Sequence, residues 1–471
     1  MTNRKSTKRA LLGSVMAMVL CLAMLVGATF AWFTDTASTN VNKIQAGKLD
    51  VALEMKDAAG QWVSAEGKTL NWVKAAAGEQ VLWEPGCTYT LPELRVVNNG
   101  NLALKYKIQI TGIQGDAKLN EVIDWTINDA AIDLTEGHLT AGQQGDAFTI
   151  KGHMKETAGN DYQNLTIDGI AITVAATQDT VENDSLGNTY DEDAKYPIVA
   201  MDTLQELINN ATEPVSAKLE GNIAGSLTVP QGKDVTLDLN GFTLTGGDSH
   251  AILNHGTLCI KDSSGTGKIV ASKANTSALR NAAVCVIDGG TFTRAAGVDN
   301  KWHTVENFGT MTFNGGKVIA EDGQSFAIVN GWNYMDPGEQ KATMTINKIE
   351  MKAGPNGFKN CAGGTLTMNG GTLHCTGFWG LSNDSTGVAT INGGEIISDK
   401  YVAISNGGAK MEINGGTFNG PEGSLYVQNY AHDTVVMGGS YGHETVEFMR
   451  NYCPEGYTAT LKDGMVVVSK D

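Results

Sequence analysis

The 471-residue sequence predicts an all-β protein whose C-terminal half is a solenoid. That half repeats an asparagine, a short strand and a Gly-Gly turn, and its last three repeat intervals, from Asn360 to Asn429, are each 23 residues. A regular period of this length is typical of solenoids, in which each repeat packs only against its neighbours. The N-terminal half lacks this repeat. It alternates apolar and polar residues over Lys105–Thr111 and Ile170–Val174, and this period of two predicts half-buried strands.

The first 31 residues have the parts of an export signal. Four basic residues between Arg4 and Arg9 precede about twenty apolar residues, and the small residues that follow predict cleavage between Ala31 and Trp32. The apolar stretch is long enough to span a bilayer, so a retained anchor is the alternative. We therefore expect a secreted protein that meets the membrane only during export by a signal peptidase.

Four sequence blocks follow in order between Ala28 and Gln178. They are Ala28–Asp35 with Ala46–Val51, Trp83–Gly86, Val97–Lys105, and Tyr162–Gln163 with Ala175–Gln178. Together they resemble the TasA and camelysin family, which is exported through the dedicated signal peptidase SipW. The resemblance implies an antiparallel jelly-roll domain over residues 32–178. It also implies a protein of the extracellular matrix or cell surface of a Gram-positive-type bacterium, with a role in biofilms.

The resemblance further implies a mode of assembly. In TasA-like fibres an N-terminal strand of one subunit completes the sheet of the next, and here the donor strand would begin at Trp32 and Phe33. In such strand addition the main-chain hydrogen bonds give affinity and the side-chain pockets give register. The alternative is an ordinary edge strand within the same domain. The expected partners are further copies of the chain or other matrix proteins.

Residues 179–200 are dense in acids and turn formers and are predicted to be a linker. Carboxylates between positions 179 and 193, from Asp179 onward, suit calcium, a hard cation that prefers oxygen ligands. The Asp-x-Asp-x-Asp-Gly loop with its terminal Glu is absent, so a solvated tether is the favoured interpretation. We expect no cofactor.

Residues 201–471 are predicted to form a parallel β-helix of roughly ten coils, with a capping helix near residues 203–211. The helix has one apolar face and a capping box from Thr203 to Glu206, and Val466–Val468 is taken as a strand of the last coil. The segment resembles the right-handed parallel β-helices of the pectate-lyase-like group found in bacterial adhesins. This resemblance is specific for the fold and weak for activity.

The repeated asparagines are interpreted as a structural ladder. Stacked strands about 4.8 Å apart place each amide above the previous one, so that it donates and accepts along the column. Glycine supplies the positive φ that the adjoining corners require. The predicted ladder consists of Asn254, Asn281, Asn307, Asn330, Asn360, Asn383, Asn406 and Asn429.

Catalytic motifs are weak in this sequence. Gly438–Gly442 fits Gly-x-Ser-x-Gly, but Ser440 occupies a repeat corner and no helix signal follows. His443–Glu447 lacks the second histidine of His-Glu-x-x-His, which weakens a peptidase activity. The three arginines of the repeat half fall in no acidic cluster of the sequence. We predict no catalytic, cofactor-binding or metal-binding residue, and favour a surface or matrix protein whose β-helix displays or binds ligands.

The alternative is a carbohydrate-binding or polysaccharide-degrading β-helix protein. Large aromatic residues lie four or five positions before several ladder asparagines, and aromatic rings offer apolar area with polar handles to a sugar. Because offsets of four and five reverse the strand face, packing in the core is the other interpretation. The candidate glycan contacts are Trp302, Trp332, Tyr334 and Trp379.

Charge and cysteine content narrow the expected partners and chemistry. The formal net charge is −17, so no nucleic-acid partner is expected. Cys259 and Cys285 are 26 residues apart, about one coil, and are predicted to stack. Buried thiols are favoured over a disulfide bridge.

Overall fold

The computed structural model describes residues 47–471 except 74–80, 112–113, 116, 133–135, 169, 181–193, 299–300, 323–324, 333–337 and 429–432. The chain divides into two units, residues 1–47 and 48–471, and nearly all of the first lies outside the described residues. The predicted cleavage site, the donor strand at Trp32 and Phe33, Tyr334, Asn429 and most of the acidic linker also lie outside them. No described helix is long and apolar enough to cross a membrane.

The predicted all-β fold is confirmed, with antiparallel sheets in the N-terminal part and a parallel β-solenoid after it. The N-terminal strands are β1 (Val51–Lys56), β2 (Trp62–Ser64), β3 (Thr88–Thr90), β4 (Leu94–Asn98), β5 (Leu104–Thr111), β6 (Gln114–Gly115), β7 (Ile123–Ile127), β8 (Ala130–Ala131), β9 (Glu136–Leu139), β10 (Ile150–Met154), β11 (Ile167–Asp168) and β12 (Ala171–Gln178). Two 3₁₀ helices cover Ala117–Val122 and Asn160–Tyr162.

These strands form four antiparallel sheets, in the orders β2-β1-β4, β12-β5-β9, β3-β10-β7-β8 and β11-β6. The two alternating segments of the sequence become β5 and β12, which pair along eight residues, from Leu104 opposite Gln178 to Thr111 opposite Ala171. Their inward side chains meet those of the other sheets in one core, in which Leu94, Leu104 and Ile150 are fully buried. Alternation therefore sets which face of each strand is inside.

A short helix, α1 (Met201–Asn210), begins the solenoid, and its Met201, Leu204 and Ile208 side chains are buried. The predicted capping box is wrong. The N-cap residue is Ala200, which has no capping side chain, and Thr203 lies within the first turn. The Thr203 hydroxyl instead accepts a hydrogen bond from Gln109 Nε2 of β5 at 2.9 Å, so a tertiary contact uses the oxygen that the pattern assigned to the cap.

The solenoid strands are β13 (Val215–Lys218), β14 (Ile223–Ala224), β15 (Leu227–Val229), β16 (Asp234–Asp238), β17 (Thr243–Thr245), β18 (Ile252–Asn254), β19 (Thr257–Lys261), β20 (Lys268–Ala271), β21 (Leu279–Asn281), β22 (Val284–Ile287), β23 (Thr291–Arg294), β24 (Val305–Asn307), β25 (Thr310–Phe313), β26 (Lys317–Ala320), β27 (Phe326–Asn330), β28 (Ala342–Ile346), β29 (Glu350–Ala353), β30 (Asn356–Asn360), β31 (Gly364–Met368), β32 (Thr372–Cys375), β33 (Leu381–Asp384), β34 (Val388–Ile391), β35 (Glu395–Ser398), β36 (Ile404–Gly407), β37 (Lys410–Ile413), β38 (Thr417–Asn419), β39 (Leu425–Val427), β40 (Thr434–Val436), β41 (Gly439–Tyr441), β42 (Tyr457–Lys462) and β43 (Met465–Lys470).

Every third strand pairs in parallel, which gives three sheets and about nine turns. Sheet 1 contains ten strands from β13 to β40, sheet 2 runs from β14 to β41, and sheet 3 contains nine strands from β15 to β39. At the corner between sheets 1 and 2 Gly371 has φ +93°, and a Cβ there would lie 2.6 Å from Ile349 N, so only glycine fits. Inward apolar side chains from all three sheets fill the interior, and strands of sheet 1 contribute two each, such as Leu258 and Ile260 of β19.

The last coil differs from the prediction. Val466–Val468 lies in β43, which pairs antiparallel with β41 and with β42. The chain therefore ends in a hairpin, preceded by a short helix α2 (Val446–Arg450). Glu444 lies next to this helix, and its Oε1 accepts hydrogen bonds from the backbone N–H groups of Ser424 (2.7 Å) and Leu425 (2.9 Å). The Glu444 carboxylate therefore satisfies two backbone N–H groups at the edge of sheet 3, where a further strand would otherwise pair.

Seven of the eight predicted ladder asparagines form one file in sheet 3. They are in register from Asn254 to Asn406, and all are fully buried. Each Nδ2 in the file donates to the Oδ1 of the next residue at 2.7–2.9 Å, up to Asn406. The residue in register with Asn406 is Val427, and Asn406 Nδ2 donates to Thr434 Oγ1 at 2.8 Å.

A second ladder, which the sequence analysis treated only as turns, lies at the corner between sheets 1 and 2. Its amides also donate in sequence at 2.8–2.9 Å, and the file ends on the carboxylate of Asp288. The members of this file are exposed, except for the half-buried Asn414. The file consists of Asn414, Asn392, Asn369, Asn347, Asn314 and Asp288.

Cys259 and Cys285 do not stack. Cys259 is in register with Val286, and Cys285 with Leu258, so the two thiols project from opposite faces of sheet 1. Cys285 is buried in the core and Cys259 lies half-buried outside, with its thiol 3.6 Å from an Asp288 carboxylate oxygen. The offsets of four and five residues from the ladder asparagines account for the error, because one residue along a strand reverses the face.

Candidate functional site

A cleft of about 660 Å³ opens at one edge of the N-terminal sandwich. It is lined by the first half of β1, by residues 65–70, by Trp72, Leu91 and Trp125, and by residues 170–174 at the start of β12. Most of its lining residues are apolar, and Leu53 and Leu91 among them belong to the core of this part of the protein. We call this feature the sandwich cleft.

The sandwich cleft lies beside an open strand edge. β12 pairs with β5 on one side, and no described strand pairs with its other side. The inward side chains Ile172, Val174 and Ala176 of β12 pack against the core but are only half-buried, whereas Ile108 of the paired strand β5 is 1% exposed. An apolar cleft next to unpaired main-chain groups is the geometry that strand addition requires.

Charged residues cluster on the outer face of sheet 3, in a group we call the Glu306 cluster. Glu306 is only 2% exposed although it projects outward from β24. Its Oε2 accepts hydrogen bonds from the Ser277 hydroxyl (2.5 Å) and the Trp302 indole N–H (3.2 Å), and Arg280 Nη1 lies 3.5 Å away. His250 Nδ1 is 3.9 Å from the same oxygen and accepts the backbone N–H of Ser277 at 2.9 Å.

Burial dominates the electrostatics of this cluster. Desolvation raises the pKa of Glu306, although the Ser277 hydroxyl, Arg280 and Trp302 each oppose the shift. Desolvation, together with Arg280, lowers the pKa of His250 to about 4, so this imidazole is neutral at pH 7. Hydrolysis of a glycosidic bond usually needs two carboxyl groups flanking that bond, and the Glu306 cluster contains one.

The sequence analysis missed this cluster because its members are distant in sequence. Arg280 and Glu306 are in register on β21 and β24, one coil apart. The 26-residue spacing of the two residues was a signal that could have found the pair. Lys359, two coils after Glu306 in the register, forms a similar pair with Asp384 Oδ2 at 3.0 Å, and its ammonium lies 5.1 Å from the Phe326 ring.

The three described candidates for glycan contact occupy different places. Trp302 is bound to Glu306 and its ring lies 5.7 Å from His303, at the corner between sheets 2 and 3. Trp332 lies at the opposite corner of sheet 3, where its ring is 5.4 Å from Phe308. Trp379 lies at the same corner as Trp302, two coils or more along the rod, and none of the three is fully buried.

The calcium prediction concerns residues that are mostly outside the described part of the chain. Asp179, which is described, is 5% exposed, and its Oδ2 lies 2.6 Å from His138 Nδ1. Among the described residues, no group of three or more His, Cys, Asp or Glu side chains is placed to hold a metal ion. The described residues therefore form no group that fits a catalytic zinc, and no metal-dependent step is derived from them.

Comparison with known proteins agrees with the N-terminal resemblance. The family model described as camelysin metallo-endopeptidase matches residues 6–59, which confirms the likeness to camelysin and TasA for this part of the chain. Neither the search of curated proteins nor that of solved structures returned a match. The family suggests a secreted or cell-surface protein, and the sandwich and β-helix fit a surface structural protein.

Proposed function

We propose that this protein is a secreted, non-enzymatic structural protein of the cell surface or biofilm matrix. Its N-terminal sandwich assembles by strand addition, and its β-helix is a rod that displays a side wall. The sandwich cleft beside β12 is the observation that carries this proposal. It presents apolar side chains and an unpaired strand edge at the same place.

The length of the N-terminal segment supports donation to a neighbouring subunit. The backbone of residues 48–50 still pairs with residues 99–101, so the chain runs straight on from β1, whose first residues line the cleft. Extended at about 3.3 Å per residue, residues 32–46 span roughly 50 Å, which exceeds the roughly 26 Å of the eight-residue strand β12.

Side-chain chemistry supports the same segment as the donor. Trp32 and Phe33 supply large apolar groups, and the cleft exposes half-buried Ile172 and Val174 to receive them. Aromatic anchors in desolvated pockets dominate the energy of such interfaces. The rival arrangement, in which the segment folds back onto its own sandwich, would yield monomers.

Electron microscopy of the purified chain from Trp32 onward tests the proposal. Filaments are expected for the parent chain and not for a chain that lacks Trp32–Ala46. Val174→Asp is expected to block assembly because it places a charge in the cleft, whereas Leu461→Asp, at a position 70% exposed in β42, is the matched control that retains filaments. Filaments that persist after the deletion would rule out strand donation, and their absence from every sample would leave only the display role.

A non-enzymatic role is also supported by the state of Glu306. Its Oε2 accepts hydrogen bonds from Ser277 and Trp302, and the residue is nearly fully buried. Glu306 therefore stabilises the outer face of sheet 3. A general acid must reach the bond that it protonates. Buried polar clusters of this kind more often fix a structure than react.

A further inference from the structure

Aromatic rings follow one corner of the solenoid, between sheets 2 and 3, through several coils. The file has two parts, an N-terminal one from Trp302 to Phe326 and a C-terminal one from Phe378 to Tyr401. Within each part the centroids of neighbouring rings are 5.7–6.3 Å apart. The parts meet where Trp379 packs against the buried cluster of Phe326, Val329 and Cys361. We call the file the aromatic ridge; its members are Trp302, His303, Phe326, Phe378, Trp379 and Tyr401.

The C-terminal part of the aromatic ridge contains its most exposed rings. Phe326 is 8% exposed, whereas Phe378 is 53% and Tyr401 is 37% exposed. Tyr426, on the outer face of the next coil of sheet 3, is 48% exposed. Rings in three successive coils thus face solvent, and at about 4.8 Å per coil they cover roughly 10 Å along the axis.

We propose that the exposed end of the aromatic ridge, at Phe378, Trp379 and Tyr401, binds a neutral linear polysaccharide. This goes beyond the assembly role of the sandwich. Aromatic side chains offer flat apolar faces for sugar rings together with polar handles. Because the exposed rings succeed one another along the rod, an extended polymer lying parallel to the axis contacts more than one of them.

Two observations support a sugar as the occupant. The indole N–H of Trp379 is buried without a hydrogen-bond partner among the described residues, which costs about 1–3 kcal/mol; a sugar hydroxyl would recover this cost only if the indole turned to expose the N–H. On sheet 2, just before this corner, His374 Nε2 lies 2.8 Å from Asp399 Oδ1, and both side chains are partly exposed. This pair offers further hydrogen-bonding groups to sugar hydroxyls.

Charge and area exclude the other occupants. With a net charge of −17 the protein repels anionic polymers. The exposed parts of Phe378, Tyr401 and Tyr426 amount to roughly 300 Å², about half of what three such side chains can bury. That is well below the roughly 1,000 Å² expected for a specific protein interface.

Affinity electrophoresis of the chain from Trp32 onward tests the proposal. Native gels contain hydroxyethyl cellulose, laminarin or xylan as neutral probes, and alginate as the anionic probe. We expect at least one neutral polysaccharide to retard the protein, and Phe378→Ala and Tyr401→Ala each to weaken that binding about two- to tenfold. Val284→Ala, which trims a 43% exposed side chain on sheet 1, is the matched control and should bind as the parent does.

Retardation by alginate alone, by none of the neutral probes, or equally in the parent and both ring variants would overturn the proposal. Circular dichroism of each variant verifies that the solenoid is intact, which is expected because both substituted rings are exposed. The chain lacking Trp32–Ala46 should bind glycan as well as the parent does. A failure of glycan binding is therefore distinguishable from a failure of strand addition.

Discussion

Replacing Asn360 by aspartate is the sharpest test of the internal ladder. The substitution keeps the shape of the side chain and exchanges only the amide nitrogen for oxygen. Asn360 Nδ2 donates to Asn383 Oδ1 (2.8 Å), Val388 O (3.0 Å) and Gly364 O (3.2 Å), and its Oδ1 accepts from Asn330 (2.8 Å). A carboxylate at this position would face three acceptor oxygens in a site with no exposure.

The expected loss of unfolding free energy follows from the proton that the buried aspartate must carry. An aspartate in the unfolded chain has a pKa near 3.9, so keeping it protonated at pH 7 costs about 4 kcal/mol. The folded pKa is raised above the unfolded one, so the penalty is small below pH 4. It then grows by about 1.4 kcal/mol per pH unit as the pH rises. One hydrogen bond to a backbone carbonyl is lost in addition, at about 1 kcal/mol.

The assay is urea unfolding, followed by far-ultraviolet circular dichroism at several pH values between about 4 and 7. Asn369→Asp is the matched control, because Asn369 has the same pattern of donation and acceptance in the exposed ladder of the same coil. We expect the control to change the unfolding free energy by less than about 1 kcal/mol at every pH. A penalty for Asn360→Asp that does not depend on pH, or that equals the control's, would refute the reasoning.

Three further outcomes are expected. Glu444→Ala should lower the unfolding free energy by about 1–3 kcal/mol and increase aggregation in light scattering, because it frees two backbone donors at the edge of sheet 3; unchanged scattering would argue against an edge-protecting role. Burial lowers the pKa of His303 to about 4, so the unfolded chain takes up this proton first and His303 should contribute a loss of stability of about 3 kcal/mol between pH 6.5 and 4; His250, whose pKa is also lowered to about 4, contributes a similar loss, so His303→Gln should reduce the slope of melting temperature against pH by about half. A thiol reagent should label Cys259 in the native protein and leave Cys285 unlabelled, because burial raises the pKa of the Cys285 thiol; equal labelling would contradict the opposite-face geometry.

The repeat was sufficient to predict the solenoid, because a coil packs only on its neighbours and periodicity in sequence becomes periodicity in space. For the same reason Asn254 to Asn406 could be placed in one file from spacing alone. The capping box at Thr203 could not be judged in this way. A local pattern competes there with a tertiary partner, Gln109, that lies far away in the sequence.

The end of the rod and the outer face of sheet 3 show a second limit of prediction from the sequence. The three consecutive valines Val466–Val468 favour a strand but do not indicate whether it pairs parallel or antiparallel, and the structure places it in a hairpin. Arg280 and Glu306 are one coil apart, yet their contact depends on which face each strand turns outward. A one-residue change of register would have separated them.

The sequence by itself determined the all-β class, the coil period, the buried asparagine file and the family resemblance of the N-terminal residues. Each of these depends on spacing along the chain, which stacking preserves. Only the tertiary structure decided that β12 keeps an open edge beside an apolar cleft, that Glu306 is buried under Trp302, and that Phe378 and Tyr401 face solvent. Those properties depend on which residues pack against each side chain, and these packing partners are distant in sequence.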